Sequence, residues 1–115
     1  MPNGSDKSWV RMCVTVAYFK SKFGRWPTRL RLSLGVLELF RDSLLSPDLY
    51  SSLQERMALV PEESFDGEDF LAEDDAGHQC TKQEAFGRHT PTKTHTKTVD
   101  VEAWIGGRPP SDDEF

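Results

Sequence analysis

Eight carboxylates crowd fourteen consecutive positions of the chain: Glu62, Glu63, Asp66, Glu68, Asp69, Glu73, Asp74 and Asp75, with no Lys or Arg among them. Three roles suit such a run. Oxygen ligands converging on a cation would make a metal site, but the stretch lacks the Asp-x-Asp-x-Asp-Gly order of a calcium loop and its length scatters the groups. Spaced carboxylates could instead imitate a phosphate backbone and engage a basic groove on a protein partner, with an attraction that weakens as salt is added. The third role is a solvated loop and turn that keep a small protein soluble and blunt a sheet edge. The partner surface is the functional expectation, with all eight acids as its candidate residues, and the solvated loop stands beside it.

A basic segment forms the opposite pole. Lys20, Lys22, Arg25, Arg29 and Arg31 surround Trp26. Two arginines two positions apart on a strand point to one face, so Arg29 and Arg31 could grip a phosphate or carboxylate while Trp26 stacks on a base. Arg25, Trp26, Arg29 and Arg31 are therefore the alternative, nucleic-acid-binding site. Five cations opposed by a net charge of -5 predict weak binding at physiological salt. In the competing reading Arg29 and Arg31 pair internally with the acidic hairpin, and the two poles cancel.

Imidazole and thiolate are the usual zinc ligands, which brings His78, Cys80, His89 and His95 into view. The spacing opposes a zinc site: His78-x-Cys80 is too close for a knuckle, and no second cysteine pair follows. Covalent catalysis needs a nucleophile beside an activated base, and no G-x-S-x-G, H-E-x-x-H, Walker or Rossmann pattern occurs. His78, Cys80 and Glu73 are the one group that could be nominated. The expectation is a non-enzymatic protein with no catalytic residue, no metal and no cofactor.

The elements that must position these groups follow from periodicity. A chain of 115 residues, 37% apolar and 10% aromatic, supports one core and not two. Trp9, Met12, Cys13, Val16, Phe19 and Phe23 recur at spacings of three and four and predict an amphipathic helix over 8–23, ended by Gly24. Pro27 excludes helix for Trp26, and residues 28–32 alternate polar and apolar as a strand with Leu30 and Leu32 inward. A second helix over about 34–45 would bury Leu34, Leu37, Phe40 or Arg41, and Leu44. Ser46-Pro47-Asp48 then combines an N-cap, a proline at the first helical position and an acid in the first turn, which predicts a third helix over about 47–56 burying Leu49 and Leu53, with Tyr50 as a further candidate.

Two short apolar stretches, 57–60 and 70–73, read as strands joined by the acidic loop, with Pro61 stopping the first. Asp74-Asp75-Ala76-Gly77 reads as a turn, from which residues 78–83 would pair back as a hairpin. Residues 87–98 hold no large apolar side chain to offset the entropy of ordering, and read as a mobile loop. Val101, Trp104 and Ile105 are a last anchor before a loose acidic tail at 106–115. The expected fold is a single α+β domain over 1–105, ordered α-β-α-α-β-β, with a short antiparallel sheet packed against two or three helices.

Charge divides unevenly along this plan. Residues 1–60 carry nine Lys/Arg against five Asp/Glu, and residues 61–115 five against fourteen, so the halves hold +4 and -9. No apolar run approaches the roughly 20 residues that span a bilayer, which excludes a membrane role on this reading. Two cysteines in different elements, one on a helix's apolar face, suit a reducing cytoplasm. Composition is silent on oligomeric state.

The block Phe23-Gly24-Arg25-Trp26-Pro27-Thr28-Arg29-Leu30-Arg31-Leu32, followed by Leu44-Leu45-Ser46-Pro47 and Ala72-Glu73-Asp74-Asp75-Ala76-Gly77, resembles a family of small uncharacterised bacterial and mobile-element proteins. The segment after the Glu-Asp-Asp turn tends to be aromatic there, and here it is Gln79-Cys80-Thr81-Lys82. The resemblance implies a bacterial or mobile-element origin and no chemistry. Joined to the acidic stretch, it implies an inhibitor that occupies the basic nucleic-acid groove of a bacterial defence protein, in the manner of an anti-CRISPR protein.

Overall fold

Helix α1, Ser5–Phe23, buries one stripe of Trp9, Met12, Cys13, Val16 and Phe19, the residues whose spacing predicts it. It ends where Gly24 takes φ 75° and returns its N–H to the Lys20 carbonyl at 2.9 Å. The computed structural model describes residues 5–67, 69–88 and 96–109.

Strand β1, Arg29–Leu32, follows with Leu30 and Leu32 fully buried and both arginines on the opposite face. Helix α2, Leu34–Leu39, is capped by the Ser33 hydroxyl, which accepts from the Val36 N–H. It runs directly into a π-helical turn, Phe40–Leu44, closed by the Leu45 N–H on the Phe40 carbonyl at 3.1 Å. The buried stripe differs from the expected one: Val36 and Phe40 are buried, Leu37 and Leu44 are half-buried, and Leu34 is exposed, while the wider turn after Phe40 brings Leu45 in place of Leu44 to the buried side.

Helix α3, Pro47–Arg56, begins as its sequence signal requires, with Ser46 Oγ accepting from the Leu49 N–H at 3.1 Å. Replacing Ser46 by alanine leaves that N–H without its partner and is expected to cost about 1 kcal/mol. A lowered melting temperature with an unchanged circular dichroism spectrum checks this.

Strands β2 (Ala58–Pro61), β3 (Phe70–Glu73) and β4 (Gln79–Thr81) complete a four-stranded sheet in the order β2-β1-β3-β4. The α+β class is as expected, but the sheet is mixed and not antiparallel. β1 and β2 run parallel, because α2, the π turn and α3 carry the chain back between them. The β1–β3 and β3–β4 pairs are antiparallel.

Two further helices were not expected as helices. Helix α4, Lys82–Arg88, starts where a strand was foreseen to continue, and helix α5, Thr98–Ile105, begins inside the segment foreseen as a loop. Residues 89–95 of that loop, and 110–115 of the expected tail, lie outside the described residues. Gly106, with φ 114°, closes α5 against Glu102, and Pro109 is buried, so the near end of the expected tail is packed.

The core lies under one face of the sheet. Leu30, Leu32, Phe70, Ala72 and Cys80 share one core cluster with Met12, Val16 and Phe19 of α1, and each fully buried large apolar side chain contributes about 1.5–3 kcal/mol. Trp26 and Trp104 stack face to face at 4.3 Å and clasp the entry to β1 onto α5. Among the described residues no helix is long and apolar enough to cross a membrane.

Candidate functional site

The other face of the sheet carries the charged groups. Antiparallel register sets Arg29 opposite Glu73 and Arg31 opposite Leu71, and parallel register brings Glu62, just past β2, beside the end of β1. Glu73 Oε1 accepts from Arg29 Nε at 2.5 Å and from Arg31 Nε at 2.7 Å, while Oε2 accepts from Gln79 Nε2 at 2.9 Å. Arg31 also pairs with Glu62, and Arg29 reaches Asp75 at 4.0 Å. The result is an alternating row along the face: Glu62, Arg31, Glu73, Arg29, Asp75.

Glu73 is only 4% exposed although it sits on the solvent side of the sheet, because the arginine side chains and Gln79 lie over it. Burial alone would raise its pKa. The hydrogen bonds from Arg29, Arg31 and Gln79 outweigh that and hold it below the ordinary carboxylate range.

Asp74 forms a second knot at the β3–β4 turn. Its Oδ1 accepts from the Ala76 and His78 N–H groups at 2.9 and 3.0 Å, and Oδ2 lies 2.9 Å from His78 Nδ1 and 3.6 Å from Arg25 Nε. Its carboxyl is also held low: burial opposes ionisation, and the His78 and Ala76 hydrogen bonds prevail. The His78 ring in turn packs on Phe23 at 4.5 Å between centroids. Gly77, with φ 90°, completes the turn foreseen at residues 74–77.

The depressed values of Glu73 and Asp74, the two buried carboxyls, set the direction of the pH dependence. Their contribution is complete above the unfolded carboxylate range, near pH 4, and is lost as pH falls through their lower folded values. Acid titration of the fluorescence of the native protein is therefore expected to show cooperative unfolding below about pH 4, with the transition flattened in Glu73→Gln.

The eight expected partner-binding acids do not form one surface. Glu73 and Asp74 are buried and fully engaged, the first under Arg29, Arg31 and Gln79, the second within its own turn. The others divide between the two ends of β3. At one end Glu62 is half-buried, Glu63 and Asp66 are exposed, and Asp69 accepts from Gln83 and from the Asp66 N–H. Asp75 stands at the other end, 84% exposed, within 3.4 Å of Thr28 Oγ1. The Glu68 side chain lies outside the described residues.

The alternative site is likewise accounted for. Arg29 and Arg31 are committed to Glu73 and Glu62, which is the internal pairing of the two poles. Arg25 is 58% exposed beside Asp74, and Trp26 is half-buried against Trp104 with the Lys20 ammonium 5.4 Å from its ring. Sequence reasoning missed Gln79 as the third donor to Glu73 and Trp104 as the partner of Trp26. Both depend on contacts across elements that no local pattern announces.

His78, Cys80 and Glu73 are not brought together. Cys80 points to the inner face, where its thiol donates to the Thr15 carbonyl at 3.5 Å, whereas Glu73 is on the outer face. Burial, reinforced by Glu84, pushes the Cys80 thiol up to about 12, and burial also raises Cys13. Both thiols are expected to ignore a disulfide reagent in the native protein and to react fully once unfolded, as absorbance of the released thiolate would record. His89 and His95 lie outside the described residues, and among the described residues no group of three or more His, Cys, Asp or Glu is placed to hold a metal ion. No protein-family model, curated protein or solved structure matches the chain.

Proposed function

We propose that this chain is a protein-binding module whose working surface is the acidic rim at the two ends of β3, offered to a partner that carries a basic, nucleic-acid-type groove. The observation that supports this is the charge left over on the outer sheet face. Its two arginines are already bound by Glu73 and Glu62, and the exposed carboxylates of Glu63 and Asp75 stand at its two ends. Glu73 and Asp74 belong to the foundation of this surface and not to its contacts. They lock β1, β3 and the β3–β4 turn in the arrangement that holds the rim residues apart at fixed places.

The nucleic-acid reading draws less support, since a phosphate would have to displace Glu73 and Glu62 from Arg29 and Arg31. The two readings separate in one experiment. Immobilised protein, exposed to nuclease-treated bacterial lysate, is expected to retain a protein that elutes as salt is raised, and the free protein is expected to pass through a single-stranded DNA column at low salt. Recovery of nuclease-sensitive material alone, together with retention on the DNA column, would overturn the proposal.

A further inference from the structure

We draw no further inference here: the strongest candidate, the apolar groove between α1 and α4 floored by the exposed Val10 and Phe86 and edged by Lys7 and Arg11, carries nothing because nothing in the structure shows what covers it.

Discussion

Replacing Glu73 by alanine is expected to lower the free energy of unfolding by about 3 kcal/mol, the largest single loss from any charged residue described. The carboxylate is the shared acceptor of three side chains, and its removal leaves Arg29 and Arg31 side by side on one strand face with their common counter-ion gone. Burial of a charge is costly, and breaking a buried pair costs about 3–5 kcal/mol because the remaining partner is stranded. Here the arginine side chains are each 34% exposed and can turn towards water, which places the loss at the lower end. Glu73→Gln, which keeps an acceptor oxygen and loses the charge, should lose less. Urea denaturation reads both, as a shifted midpoint at unchanged slope. A loss below about 0.5 kcal/mol for the alanine variant would mean that the row is ornament on a fold held by its core alone. It follows that a variant altering Glu73, Asp74 and Asp75 together confounds unfolding with loss of binding, and cannot test the rim.

The rim itself is tested by residues outside that network. Reversing Glu63 and Asp75 to lysine touches two exposed carboxylates at opposite ends of β3, of which Asp75 makes only long contacts, 3.4 Å to Thr28 and 4.0 Å to Arg29. Stability should change by less than about 0.5 kcal/mol, since exposed pairs contribute little. Binding to a basic groove should suffer more, because each reversal removes an attraction and adds a repulsion. About 1 kcal/mol per site amounts to roughly a 30-fold weakening for the pair. Most of that change belongs in the association rate and should shrink as salt is added, since rim charges act mainly by steering.

Local signals were legible where one residue type has one physical use. Ser46-Pro47 marks the start of α3, the alternation of Leu30 and Leu32 with Arg29 and Arg31 gives the two faces of β1, and Asp74 to Gly77 gives the turn. Helix α4 is legible too, although alternation alone extends the strand over its first two residues. Thr81-x-x-Glu84 is a capping box: the Glu84 N–H donates to Thr81 Oγ1 at 3.1 Å, and Glu84 Oε1 receives the Thr81 N–H at 3.4 Å. Helix α5 was hidden by the threonine-rich run before it, although Val101, Trp104 and Ile105 keep helical spacing.

The remainder depends on contacts between distant positions. No residue announces the π turn, which buries Leu45 in place of Leu44. Parallel pairing of β1 with β2 emerges only once the intervening helices pack. The acidic run reads as one surface in the sequence because carboxylates ordinarily stay in water. Burial of Glu73 requires two arginines forty-odd positions earlier, delivered by strand register, and burial of Asp74 requires a histidine four positions on to fold back over it. Sequence alone could raise internal pairing of the poles as one alternative; the register decides it.

The most direct test of the proposed function is calorimetric titration of the captured partner, at low and at moderate salt, into the wild-type protein and into the Glu63→Lys/Asp75→Lys variant, with both first checked to melt together. A roughly 30-fold weaker affinity is expected for the variant at low salt, narrowing as salt rises. Equal affinities for the two proteins at low salt would contradict the proposal and place the binding surface elsewhere on the fold.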